Sequence, residues 1–140
     1  MTRLVLDASV AVAWCFEDET TAYTENILNL LASGSDALVP PLWPYEVANG
    51  LAVAERRKRT TWAKITRFLQ RVSGFPISIA ANDGARVFDQ VLSTARQLHL
   101  AVYDAAYIEL ALREALPLAT LDAVLKHAAE RSGIKIAGRK

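Results

Sequence analysis

The sequence predicts an α/β fold of three layers, α/β/α, around a central and mostly parallel sheet. Short aliphatic runs such as Leu4 to Leu6, Ala37 to Val39 and Leu118 to Leu121 lack polar alternation, so each has to be covered on both faces. These runs alternate with stretches of helical period, the pattern of strands joined by crossover helices. With 52% hydrophobic and 22% charged residues, disorder and fibrous repeats are excluded. A length of 140 residues suits one domain, residues 1–140, with a core of its own.

Arg3 to Leu6 reads as a buried strand ending at Asp7, and the Ala-rich segment Ala8 to Phe16 reads as the helix it feeds. Thr20 to Ala32 carries Tyr23, Ile27, Leu28, Leu30 and Leu31 at near-helical spacing and stops at Gly34, a left-handed cap position. A strand at Ala37 to Val39 is closed by Pro40 and Pro41. The helix from about Leu42 to Lys58 tolerates Pro44 in its first turn. Trp62 to Val72 repeats the helical period until Gly74 and Pro76 break it, and Ile77 to Ile79 follows as a strand. Asn82 or Asp83 can cap a long helix through Val87, Val91, Leu92, Ala95 and Leu98, and Leu100 to Ala115 is helical again. Beyond Pro117 come the strand Leu118 to Leu121, a helix from Asp122 to Arg131 stopped by Gly133, and an edge strand at Ile134 to Ile136.

Several function classes fall away. Apolar runs such as Leu100 to Tyr103 stop far short of the ~20 residues that span a bilayer, and the opening Leu4 to Leu6 is too short for a signal-peptide core. A cytoplasmic, membrane-free protein is expected. Cys15 is the one cysteine, so no internal disulfide forms, and its neighbours Trp14 and Phe16 suggest packing rather than nucleophilic chemistry. His99 and His127 are isolated, which leaves zinc little to bind. The net charge of +1 gives no overall pull on a polyanion, so any nucleic-acid contact needs a local patch.

Chemistry is expected just beyond the carboxyl ends of the strands, where loops and helix starts form a crevice. Asp7 and Asp122 both follow an aliphatic strand and open a helix; helix N-capping is the plain alternative for either. Asp104 stands in a stretch apolar almost all round, expected to be largely buried, where an unpaired carboxylate costs several kcal/mol, on the order of a buried charge. No Lys or Arg lies within a turn of it, so its partner is a distant cation or a metal. Glu46 lies near the start of its helix, with Asn49 one turn on. If these helix starts face one crevice, Asp7, Glu46, Asp104 and Asp122 repel one another, and a divalent cation relieves the repulsion. Oxygen-only ligands suit Mg2+, with Mn2+ as a substitute. Such an ion activates water and steadies charge on a phosphoryl oxygen, which makes phosphodiester hydrolysis the natural reaction.

Leu4-Val5-Leu6-Asp7-Ala8-Ser9, Pro44-Tyr45-Glu46-Val47-Ala48-Asn49, Tyr103-Asp104-Ala105-Ala106-Tyr107 and Ala119-Thr120-Leu121-Asp122 resemble, in order, spacing and flanking residues, the four acidic motifs of PIN-domain nucleases. The resemblance runs over essentially the whole chain, whose length is similar to that of VapC toxins of toxin-antitoxin pairs. It implies a Mg2+-dependent endoribonuclease that cuts RNA, forms a homodimer and is held inactive by a VapB-type antitoxin. Carried over by position, Asp7, Glu46, Asp104 and Asp122 are the catalytic and metal-holding set, with Ser9, Asn49 and Thr120 as supporting groups that orient them. The helix after Asp104 offers Glu109 where some relatives have a further Asp, leaving one metal ion or two open.

Arg56, Arg57, Lys58 and Arg59 form the one dense basic run, followed by Lys64, Arg67 and Arg71. RNA backbone contact by Arg56, Arg57 and Arg59 is one reading, and cations at a helix C-terminus the other. Trp14, Trp43 and Trp62 read as core or subunit interface rather than as base-stacking platforms. A haloacid-dehalogenase-like phosphatase needs a second acid where Ser9 stands, and a receiver domain needs an acid pair and a late lysine that are missing. The remaining alternative is a catalytically silent PIN-like module for RNA binding or assembly.

Overall fold

The computed structural model describes residues 2–81 and 84–139. Four parallel strands, β1 (Arg3–Leu6), β2 (Asp36–Val39), β3 (Ile77–Ile79) and β4 (Leu118–Ala119), form one sheet in the order β3-β2-β1-β4. The helices cover it in the expected three-layer α/β/α arrangement. β1 and β2 are buried apart from their first residues and β4 throughout, as the unalternating sequence requires, whereas edge strand β3 leaves Ile79 57% exposed.

The chain steps from β1 to β2 to β3 in one direction and then crosses back to place β4 on the far side of β1. Right-handed crossovers put the helices before and after this reversal on opposite faces. The first group comprises α1 (Ala8–Ala13), α2 (Ala22–Ala32), α3 (Trp43–Arg56) and α4 (Trp62–Val72), with a 3-10 turn at Glu17–Glu19. The second comprises α5 (Gly84–Arg86), α6 (Leu92–Leu98) and α7 (Val102–Glu114); α8 (Ala123–Arg131) follows β4. α1 packs on α3, and α7 packs on β1 and α8. The α1–α3 approach is close: a β-carbon at Gly50 would sit 3.1 Å from Val12 Cγ2.

Local chemistry sets the boundaries. Thr21 caps α2 in a reciprocal capping box with Thr24, Gly34 beyond its end has φ +115°, and Pro44 falls in the first turn of α3. The expected long helix through Val87 and Leu98 contains a π-helical segment, Val87–Val91, between α5 and α6. Its proposed cap at Asn82 or Asp83 lies outside the described residues. His99, in the left-handed conformation with φ 56°, ends α6 and is exposed, and α7 starts at Val102 rather than Leu100. β4 stops at Ala119 because Thr120 turns its side chain into the site described below. The segment expected as an edge strand at Ile134 to Ile136 adds only a parallel bridge between Leu118 and Ile136.

The core runs through the sheet and takes in Ile27, Leu51, Phe68, Tyr107, Ile108 and Leu125. Trp14 and Trp43 belong to it, but Trp62 is 65% exposed, which removes the core reading for it and leaves the subunit-interface one. Thr21→Ala removes one partner of the capping box, and urea unfolding is expected to show a loss of about 1 kcal/mol, the usual value of such a cap.

Candidate active site

Strands β1 and β4 are neighbours whose outgoing connections serve opposite faces of the sheet, so a crevice opens at their carboxyl ends. Asp7 N–H donates to Ala119 O at 2.9 Å and extends the β1–β4 register, which brings Asp7 beside Thr120. Asp7 is 7% exposed and holds the N-cap position of α1 without capping it. Its Oδ2 instead accepts from Ser9 Oγ at 2.6 Å and from Thr120 Oγ1 at 2.7 Å. Ser9 Oγ in turn accepts from Leu121 N–H, and Thr120 Oγ1 from Asp122 N–H, each at 3.0 Å. Because a backbone donor already occupies each hydroxyl oxygen, the hydroxyl proton is directed at the carboxylate.

A third hydroxyl works the same way. Tyr107, fully buried on α7, accepts from Ala8 N–H at 3.3 Å and donates to Glu46 Oε1 at 2.6 Å. Three elements are thereby tied together: the start of α1, the first turn of α3 and the middle of α7. The involvement of Tyr107 is not read from the sequence, although a hydroxyl one turn from Asp104 in an otherwise apolar run was the available signal.

Asp122 is the helix cap that its position suggested, its Oδ1 accepting from Val124 and Leu125 N–H at 2.8 and 3.1 Å. Asp104 is half-buried rather than largely buried. It sits in the first turn of α7, where Val102 and Tyr103 are exposed, while the buried stretch begins at Ala105. Among the described residues the Asp104 carboxylate makes no hydrogen bond, and none of the four acids enters an ion pair.

The electrostatics show that these acids share one region. Burial pushes the Asp7 carboxyl up against the lowering bonds from Ser9 and Thr120, and the Asp122 charge adds to the rise. Burial likewise raises Glu46 against the Tyr107 bond, with Asp7 and Asp104 adding to it. Asp104 is raised by burial and then by Asp122 and Asp7. Burial and the Glu46 bond hold the Tyr107 phenol far above its usual range, so it stays a donor.

Among the described residues, no three His, Cys, Asp or Glu side chains are close enough as they stand to hold a metal ion. The bonds explain why convergence stops short: one oxygen each of Glu46 and Asp122 is turned to Tyr107 and to the α8 N-terminus. The donor set still fits a hard dication, since it is all oxygen, lacks any cationic partner among the described residues and is already under mutual repulsion.

The other candidates separate. Asn49 is exposed, and its side-chain amide makes no hydrogen bond among the described residues. Glu109 is 6% exposed and held by Arg86 at 3.2 Å and Arg113 at 3.0 Å, a structural cluster apart from the acids. Arg59 pairs with Asp18 and Glu19 and lies over the Phe16 ring, while Arg56 and Arg57 are exposed at the end of α3. Cys15 is half-buried, and burial raises its thiol away from reactivity.

The PIN domain model matches residues 4–131, and the chain belongs to that family. PIN domains are typically nucleases that use divalent metal ions, which makes this chain a hydrolase of nucleic acid. The chain is similar to PAE2754 of Pyrobaculum aerophilum, with 24% identity and a TM-score of 0.71 over 91% of this chain and 84% of that one. It is also similar to FitAcB from Neisseria gonorrhoeae, with 19% identity and a TM-score of 0.60 over 95% of both chains. A third likeness is to VapBC2 from Rickettsia felis bound to a DNA fragment from their promoter, with 15% identity and a TM-score of 0.62 over 96% of this chain and 97% of that one. Among curated proteins no relative matches.

Acids whose folded-state pKa is raised bind more protons folded than unfolded. Their favourable contribution is full below the unfolded value and is lost as pH rises through the raised folded value. Asp104→Asn removes such a group without losing a hydrogen bond. In EDTA its stability gain over the parent should therefore be larger at about pH 7.5 than at about pH 4.5, as read from urea midpoints. A constant gain across that range would contradict the assignment.

Proposed function

We propose that residues 1–140 act as a single PIN domain that hydrolyses RNA phosphodiester bonds internally with Mg2+, or Mn2+ in its place, as the toxin of a VapBC-type pair. The observation that carries this reading is the crevice itself: Asp7, Glu46, Asp104 and Asp122 raise or feel one another's charge with no cation among the described residues to neutralise them. The choice of RNA and of a VapB-type antitoxin as inhibitor follows from the resemblance of the quoted motifs to those of VapC toxins, and the shared fold of VapBC2 agrees with membership in such a pair.

Asp7, Glu46, Asp104 and Asp122 would hold the metal, which when bound supplies an activated water and steadies charge at the phosphoryl group. The chain's own residues supply the orientation. Ser9 and Thr120 pin Asp7 Oδ2, leaving its carboxylate a single rotational setting. Tyr107 keeps its proton on the bond to Glu46 Oε1 and so fixes which oxygen of Glu46 faces the crevice. Asp122 keeps its second oxygen clear of the capping bonds of its first. Outer groups of this kind set ligand geometry in metal sites.

A homodimer would give cover to exposed apolar side chains such as Phe88, Leu92, Val102 and Tyr103. Among the described residues no helix is long and apolar enough to cross a membrane, and a cytoplasmic location is part of the proposal.

Asp7→Asn and Asp104→Asn are each expected to lower RNA cleavage by about 100-fold or more, the scale of lost charge stabilisation at a metal site, without lowering the unfolding midpoint. EDTA should abolish cleavage, and Mg2+ or Mn2+ should restore it. Full cleavage by either variant, or in excess chelator, would refute the mechanism, whereas RNA binding by the parent without cleavage in Mg2+ or Mn2+ would favour a silent RNA-binding module.

A further inference from the structure

A crevice lined by acids repels the backbone of the polymer it has to cut, and the net charge of +1 offers no compensating field. Affinity for a polyanion has to come from cations grouped elsewhere. Arg3, Arg59, Arg86, Arg113 and Arg139 are engaged with carboxylates. Lys64, Arg67 and Arg71 are exposed, carry no ion pair among the described residues and stand at i, i+3 and i+7 of α4, so they share one flank.

That flank lines a groove of about 580 Å³ whose other side is Trp14, Cys15, Phe16, Glu17 and Asp18, with Arg59 and Thr60 at its end. Thr60, also at the groove, is 7% exposed, and its buried hydroxyl has no hydrogen-bond partner among the described residues. Glu17 and Asp18 oppose an anion there, but Asp18 is already paired with Arg59.

We propose that this groove is a phosphate-tracking site, in which Lys64, Arg67 and Arg71 hold the backbone of the RNA strand on its way to or from the acidic crevice. The proposal rests on the reading of the chain as a ribonuclease. Helical rise places Lys64 and Arg71 about 10 Å apart along α4, a span that meets roughly three phosphates at about 3.4 Å per charge along a stacked strand. Two of the three cations are guanidinium forks, which match phosphate oxygens bidentately. Trp14 at the groove lies about 10 Å along α1 from Asp7 at helical rise, a separation that a few nucleotides would span. Trp62 projects from the opposite flank of α4 and takes no part. The groove's aromatic rings, Trp14, Phe16 and Phe68, are buried and cannot stack bases, so the contact is with backbone and blind to sequence.

The test is binding of a single-stranded RNA in EDTA, where no cleavage occurs, across a salt series. The variant Lys64→Gln, Arg67→Gln, Arg71→Gln should bind about tenfold more weakly. Its log–log salt slope should be shallower by about 2, at roughly 0.7 per phosphate contact for a single strand. A charge-matched control, Arg96→Gln, Arg131→Gln, Lys135→Gln, should stay within about twofold of the parent. Equal losses in both variants would make net charge the cause and overturn the assignment. So would an unchanged α4 variant, or a polyglutamate chain that binds the parent groove more tightly than RNA, which would mark a site for an acidic protein segment. If the parent itself fails to bind or cut RNA, the ribonuclease reading fails instead.

Discussion

Three hydroxyl groups, those of Ser9, Thr120 and Tyr107, each accept one backbone N–H and donate to one carboxylate. Everything at the crevice depends on this arrangement. The backbone donors belong to segments fixed by the sheet and the helix starts, so the direction of each hydroxyl proton is set by the fold rather than by the side chain. A carboxylate held this way is oriented before any ligand arrives, and orientation without reorganisation is what electrostatic catalysis requires.

Holding four acids near one another works against folding. Burial raises three of them, and neighbouring acids raise them further, so the folded chain carries uncompensated repulsion near neutral pH that a bound dication would offset. Fully buried strands and the side chains packed on them, Val5, Leu6, Ile108 and Leu118 among them, supply the hydrophobic stabilisation that tolerates it. The Glu109 carboxylate, by contrast, is compensated by Arg86 and Arg113 and adds no comparable demand. The contrast between the two clusters separates a structural carboxylate from one available to a ligand.

Much of this was readable from the residues in order. Unalternating strands imply a doubly covered sheet, and Asp7 and Asp122 fell at the ends of adjacent strands because both follow such runs. Helix capping and chemistry compete for the same residue type at that place. No local pattern could assign Asp122 to the cap and leave Asp7 to the hydroxyls, because the difference lies in which hydroxyl stands across the β1–β4 register. The burial of Asp104 was overestimated for a related reason: apolar neighbours in the first turn of α7 are exposed at the rim, and composition does not distinguish rim from core. Tyr107 eluded the residue list because its two partners lie 61 and 99 positions away in the chain. The π-helical segment left no periodic trace either, since one extra residue per turn over so short a stretch disturbs the apolar spacing too little to read.

Gly50 stands one turn beyond Glu46 on the face of α3 that meets α1, and its missing side chain lets the two helices approach to the contact with Val12. The residue at position 50 is therefore a spacer between the helix that carries Glu46 and the helix that begins after Asp7. A larger side chain there would press on Val12 Cγ2, so that either the Val12 side chain or the spacing of α1 and α3 would have to give. Through that contact a position outside the crevice bears on the seating of the two helices whose starts carry Asp7 and Glu46.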